Sequence, residues 1–350
     1  MADSTKRFGA DKISGFLESA LKAVKVRDDV IKHVAGGLLN ASIRGVDSHG
    51  IRLLPHYVAS VEGGRINPDP QYRFESTASA TGTFDADHTF GHAAGIEAMH
   101  KAMDMANRAG AGVVSVYNST HCGTSAFFAL EAAKKDFIGL AFTHANSLLN
   151  TPNTTRPFFG LNPIAMAVPC EGAEPFCYDS APSVITWNKL LQLRQENIDA
   201  PLLSGADDKG IPTSDPHKIT QLLPIGGYKG FGLAMIVDIL CGLLTGMPVG
   251  RDISDMYKTP LSQKRYLGQL YMAIKIGAFQ PLDVFKKRMQ KLMDDVRNEP
   301  RTDSNNAIMV SGDPEKKAAA ERLRNGIPVK EHDLNAFKAL ADKHGIKFFE

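Results

Sequence analysis

The chain lacks an excess of either charge: 40 Lys and Arg offset 38 Asp and Glu, leaving a formal charge of +2. No basic block and no interleaving of basic with aromatic residues occurs, which argues against nucleic-acid binding as a primary role. Cysteine is scarce. Cys122, Cys170, Cys177 and Cys241 form no C-x-x-C pair and no disulfide-scaffold spacing, so a reducing cytoplasm is the expected compartment. The first residues, Met1 to Gly9, have no apolar signal core, and nothing in them directs export. Both well-known nucleotide loops are missing as well. No G-x-x-x-x-G-K-[ST] string occurs. No G-x-G-x-x-G lies between a strand and a helix, since Gly110-Ala111-Gly112 precedes the strand-like Val113 to Val116 instead of following one. Internal repeats and low-complexity tracts are absent too.

What remains is an ordinary globular composition, 43% hydrophobic and 22% charged over 350 residues, enough to bury a substantial core in two lobes. Ile13, Phe16, Leu17, Ala20 and Leu21 recur at helical spacing, and Val30, Val34 and Leu38 begin a second helix ending near Gly45. From about Tyr72, short β-like runs (112–117, 138–143, 163–168, 270–276) alternate with helical stretches at 125–135 and 228–244. Beyond Pro281 amphipathic helices return, with Val284, Phe285, Met289, Leu292 and Met293 on one face. The expected organisation is a discontinuous helical lobe from 1–72 and 281–350 around an α/β body at 73–280. The Pro/Gly/Asp-rich stretch 199–216 reads as a surface excursion.

The densest signal is Pro224 to Gly246, where a glycine-rich turn carrying Lys229 runs into a long apolar helix. Glycine permits positive φ and close backbone approach, and a helix N-terminus offers free N–H donors. Lys229 thus stands where an anion could be held, although the same glycines would also serve a tightly packed turn. The apolar length and Gly242-x-x-x-Gly246 suggest a membrane span. Asp238 near its middle would cost about 2.5–3.5 kcal/mol there, so a buried helix of a globular fold is expected.

Asp47-Ser48-His49-Gly50 sets a hydroxyl beside an imidazole on a turn, with Arg52 and Tyr57 downstream. Histidine titrates near neutrality and arginine grips carboxylates through paired hydrogen bonds, which suits an anionic substrate with a proton to move. A solvated surface histidine is the plainer alternative. Thr120-His121-Cys122-Gly123 lies between a strand-like run and a helix, a junction that often carries function. Neighbours on a strand face opposite ways, which disfavours a Cys-His nucleophilic pair. Asp85, Asp87, His88 and His92 have the look of metal ligands, but the H-E-x-x-H glutamate is missing and a polar turn before a helix is favoured. Asp179-Ser180-Ala181-Pro182 follows a strand; it could touch a ribose, while Asp-Ser is also a helix cap, favoured on local grounds. One by one these signals give an anion site and two histidines, and no reaction.

Together they do more. Ser48-His49-Gly50, Thr120-His121-x-Gly123, Gly160-x-Asn162-Pro163, Asp179-x-Ala181, Pro224-x-x-Gly227-x-Lys229-Gly230-x-Gly232 and Leu243-x-Thr245-Gly246, in this order, resemble the type 2 malate/L-lactate dehydrogenase family. That group includes ureidoglycolate and sulfolactate dehydrogenases, diketogulonate reductase and piperideine-carboxylate reductase. The resemblance implies a homodimeric oxidoreductase with an NAD cofactor (NADP as the variant), acting on malate, lactate or a related hydroxy or keto acid. It implies a non-Rossmann α/β fold, with a mixed, largely antiparallel sheet flanked by helices and a helical lobe from both chain ends. Carried over by position, His121 is the acid/base residue and His49 a second proton-handling histidine. Asp179, Ser180, Ala181, Lys229, Gly312 and Asp313 fall on cofactor positions. Ser48, Arg52 and Tyr57 are the expected substrate-side residues, Arg52 from its chemistry and not from its position. Three departures bear on the substrate: the family's arginine place four residues after His49 holds Leu53, Asn153-Thr154-Thr155 replaces a glycine pair, and Ala145 replaces a serine. Within the family, the stretch 187–216 resembles ureidoglycolate dehydrogenase. From another class, a histidine-centred metallohydrolase is the alternative.

Overall fold

Helical spacing near the N-terminus becomes β1 (Thr5–Phe8), α1 (Ala10–Ala23), α2 (Asp28–Ile43) and, after two short 3-10 turns, α3 (Leu54–Glu62). The computed structural model describes residues 5–172 and 174–349. The body follows as β2 (Arg73–Ala78), β3 (Thr81–Asp85), α4 (Gly91–Ala109), β4 (Ala111–Ser119), α5 (Ala126–Ala133), β5 (Phe137–Thr143), β6 (Ile164–Val168) and β7 (Phe176–Ser180). Next come α6 (Trp187–Glu196), β8 (Gly205–Ala206), β9 (Gln221–Leu222), α7 (Tyr228–Asp238) and β10 (Leu267–Lys275). The chain closes with α8 (Leu282–Arg297), α9 (Asp313–Asn325), β11 (Ile327–Lys330) and α10 (Glu331–His344).

The main sheet has the order β2-β3-β4-β10-β5-β6-β7. Only β3 and β4 run parallel, and α4 is the crossover that a parallel pair requires. Every other pairing in it is antiparallel, so the sheet is mixed and largely antiparallel, unlike a Rossmann domain. Helices α4 and α5 pack their alanine-rich faces onto one side, around Val114, Val116, Ala141 and Tyr271. Gly112 of β4 lets α4 come close: a Cβ there would collide with the carbonyl of Ala102. Val237 of α7 and Cys241 cover the other side against Phe142 and Leu270.

A second core joins the two chain ends. Ile13, Phe16, Leu17, Val30 and Leu38 meet Tyr57 and Val58 from α3, and Ile327, Val329, Phe337 and Leu340 from the C-terminal elements. Strand β1 pairs antiparallel with β11, from Thr5↔Lys330 to Phe8↔Ile327. Helix α8 docks elsewhere, through Lys286 Nζ to Asp136 (2.9 Å) and Gly172 N–H to Gln290 Oε1 (3.2 Å). Among the described residues no helix is long and apolar enough to cross a membrane. The apolar run 228–244 is α7 followed by a π-helical turn (Ile239–Leu243), with Asp238 buried at the junction.

Candidate active site

Residues Asp47–His49 form a 3-10 turn after α2. It is fixed from both sides: Arg322 of α9 holds Asp47 through two hydrogen bonds, and Ser42 Oγ accepts the Ile51 N–H at 3.0 Å. Ser48 Oγ lies 2.8 Å from His49 Nδ1. His121 follows β4, and the Tyr57 hydroxyl of α3 stands 2.7 Å from its Nδ1. The His49 and His121 rings are stacked, with centroids 5.5 Å apart and planes at 17°. Two segments 72 positions apart in sequence therefore present their imidazoles face to face at the junction of the two cores.

Both rings are half-buried in a protein-lined cleft. Loss of hydration, then the charge of Arg52, pushes His49 down to about 4. His121 lies well below the ordinary histidine value, through burial first and then the neighbouring His49, His92 and Arg265. Tyr57 is pushed well above its usual value by burial and stays a phenol. Two neutral imidazoles with a neutral hydroxyl on one of them form a proton-accepting and proton-returning set at neutral pH.

His92 of α4 is the third histidine here; its spacing from His88 suggested a metal ligand, and the structure places it beside Tyr57 instead. Its ring meets Tyr57 edge-on at 5.6 Å, and a Cβ at Gly37 or Gly123 would collide with it. Both its ring nitrogens are buried without a partner, and burial takes it down to about 3. Asp85, Asp87 and His88 go another way: Asp87 caps the 67–71 loop through Asn67 Nδ2 and Gln71 N, and His88 sits edge-on to Tyr266. Among the described residues no three His, Cys, Asp or Glu side chains converge as a metal site. Cys122 is buried with its thiol pushed up to about 12, which leaves it no thiolate for nucleophilic chemistry.

A second set of predicted residues gathers along β7. Asp179 and Ser180 are its last two residues, so the expected helix cap is corrected: Asp179 caps no helix of its own segment. Its Oδ2 instead accepts the Ala126 N–H at 2.7 Å and so closes the start of α5 across the sheet. Asp179 is open to solvent on one side, yet surrounding protein raises its carboxyl to about 6. Ser180 Oγ donates to the Ala181 carbonyl (3.1 Å). Pro182 accepts the Ile225 N–H (2.9 Å) and Ser183 bridges Pro224, which brings the Lys229 turn alongside. Gly226 (φ +59°) and Gly227 (φ +62°) take positive φ there, which glycine permits, and Lys229 is exposed. From the other flank Ser311 accepts the Cys177 N–H (3.4 Å), and a Cβ on Gly312 (φ +97°) would stand 3.0 Å from the Cys177 carbonyl. Asp313 is engaged by Arg297 at 2.9 and 2.7 Å.

Behind the Lys229 turn, Asp238 is buried. Its carboxylate accepts Gly250 N–H (2.8 Å) and Asn162 Nδ2 (3.2 Å), and His144 Nδ1 lies 3.5 Å away. Arg52 is exposed, with Nη1 3.4 Å from Asn188 Oδ1, while Leu53 is buried in the core.

The family description malate/L-lactate dehydrogenase matches residues 8–338. Malate dehydrogenase of Pyrococcus abyssi is 30% identical over 98% of this chain and 96% of its own length. Ureidoglycolate dehydrogenase (NAD(+)) of Escherichia coli is 31% identical over 82% of each. The solved structure of sulfolactate dehydrogenase from Methanocaldococcus jannaschii superposes with a TM-score of 0.92 at 27% identity, covering 98% of both chains. With a match over nearly its whole length and the same architecture, the chain belongs to the malate/L-lactate dehydrogenase family.

Proposed function

We propose that this protein is a nicotinamide-dependent dehydrogenase of small 2-hydroxy acids, with malate as the preferred substrate and lactate next. The observation that carries the reading is the stacked His49–His121 pair with Tyr57 on His121. The metallohydrolase alternative finds no support in family membership and is set aside. A ureidoglycolate dehydrogenase is the second reading, favoured by the 31% identity to the Escherichia coli enzyme; a keto- or imino-acid reductase of the same family is a variant of it.

Removing the substrate's hydroxyl proton needs a neutral base, and His121 has the depressed pKa and the orientation for it. Tyr57 sets the ring's direction at Nδ1, to which the Gly123 N–H also points at 3.4 Å; the Nδ1–H tautomer, which donates to the Tyr57 oxygen and gives up that long contact, is the one that leaves Nε2 as the acceptor. Ser48 orients His49 in the same way, and His49 hydrogen-bonds the substrate oxygen or relays its proton. Arg52 adds positive charge on the His49 side.

The residues along β7 fit a nicotinamide dinucleotide. Asp179 offers a carboxylate open to solvent for ribose hydroxyls, Ser183 Oγ is a buried hydroxyl without a partner, and Lys229 is an exposed cation on a glycine turn. Ser180, Ala181 and the Gly312–Asp313 backbone flank them. When bound, the cofactor supplies the acceptor for the hydride that leaves the substrate's C2 in oxidation, and the donor in reduction. NAD is the first expectation, with NADP as the variant, and the four cysteines, all free thiols, suit a reducing cytoplasm.

Spectrophotometry of malate, lactate, ureidoglycolate and sulfolactate with both cofactors tests the reading. His121→Ala should lose at least about a hundredfold in turnover while still binding cofactor; unchanged turnover would remove His121 from the chemistry. We further propose a homodimer. Met235, Ile236, Ile239, Leu243 and Leu244 leave an apolar strip exposed on α7 and the turn after it, more than isolated surface residues usually make. Sedimentation velocity should show a dimer that Leu243→Asp converts to monomer, and a wild-type monomer at micromolar concentration would end this proposal.

A further inference from the structure

Two buried arginines lie near His121, and they differ in one respect. Arg65, 2% exposed, spends its guanidinium on the carbonyls of Met256, Thr259, Pro260 and Gln263. Arg265, 4% exposed, donates from Nη2 to Ser254 O (2.6 Å) and Asn146 Oδ1 (3.3 Å), both neutral, and its Nε is buried with no partner. The acid within its electrostatic reach is Asp255, which Asn146 separates from it: Asn146 Nδ2 to Asp255 Oδ2 is 3.4 Å. A buried guanidinium with an unmet donor is costly unless an anion completes it.

Its place tells which anion. Arg265, His56, Tyr57, Thr120, Met256 and His121 line a cavity of about 10 Å³, the space of one oxygen atom. The charge of Arg265 also acts on both His121 and His56, lowering each.

We propose that Arg265 binds the carboxylate next to the reacting carbon of the substrate. The inference rests on the dehydrogenase reading above. A carboxylate oxygen in the small cavity would satisfy Arg265 and leave the neighbouring hydroxyl carbon facing His121.

The test is calorimetric binding of malate and of lactate to the cofactor-saturated protein, alongside turnover. Arg265→Gln should weaken both ligands by roughly 10- to 100-fold, the worth of a charge-assisted hydrogen bond, with cofactor affinity unchanged. Because Arg265→Gln could disturb the Ser254 loop, Arg265→Ala is assayed with and without guanidinium ion: restored malate binding supports direct contact, and no restoration overturns it. Affinity within about threefold of wild type in folded Arg265→Gln likewise overturns it. Carboxylate binding that depends on Arg265 without any turnover would sink the dehydrogenase reading and leave the carboxylate site standing.

Discussion

His49 and His121 are useful as bases because the fold makes them hard to protonate. A histidine in water loses half its basic form near pH 6.5. Here burial moves both below that value, His49 to about 4. Oxidation needs the neutral ring, so kcat/KM for the hydroxy acid should stay level as pH falls through 6.5 and decline only below it. Reduction needs the imidazolium, so its rate should fall as pH rises from the acid side. Profiles in both directions check this, and an acid limb at 6.5 or above in oxidation would contradict it. At this scale the sequence was informative where a motif had a fixed order. His49, His121, Tyr57 and Asp179 were named from it, and the structure brings the first three together within one cleft. Arg265 escaped notice, and His92 drew attention only as a possible metal ligand, for a physical reason: a lone arginine before a strand carries no spacing signal, and the importance of both lies in unmet hydrogen bonds that only tertiary packing creates.

At the scale of elements, periodicity was legible wherever one face is buried. The five apolar positions picked out in 13–21 are the five buried residues of α1, and the runs at 138–143 and 163–168 match β5 and β6 to within a residue. Strands β1 and β11 were not legible, since each has four residues and its partner lies at the opposite end of the chain. Asp179-Ser180 misled because the local cap signal and a strand end look alike until the sheet is formed. Asp238 sits at the junction of α7 and the π turn, where it ties Asn162, Gly250 and His144 to the helix that carries the Lys229 turn. Asp238→Ala would leave the Gly250 N–H and one Asn162 donor buried and unpaired. The expected cost is roughly 3 kcal/mol or more, visible in urea denaturation. A change below about 1 kcal/mol would show that the network is not a structural tie.

Over the whole molecule the buried histidines act together on stability. His49, His56 and His92 have folded-state values near 4, 4 and 3, and His121 is also well below 6.5. In the unfolded chain each would titrate near 6.5. Between those limits the unfolded state binds protons that the native state refuses, so stability is intact above pH 6.5 and drains as pH falls below it. For the fully buried His92 the slope approaches, as an upper bound, about 1.4 kcal/mol per pH unit. Asp179 works in the opposite sense. Its carboxyl, raised to about 6, binds a proton in the native state before it would in the unfolded one, which favours the fold as pH falls through that value. One such group faces four histidines, and it is open to solvent, so the histidines should decide the sign. Urea midpoints at pH 7.5, 6.5, 5.5 and 5.0 should be level at first and then descend, well above the range where paired carboxylates such as Glu131, held down to about 2, begin to titrate. His92→Phe should flatten the descent without steepening it anywhere. A midpoint that holds or rises from pH 6.5 to 5.0 in the wild-type protein would mean that these rings accept protons in the folded state, and the neutral-base chemistry assigned to the cleft would fall with that result.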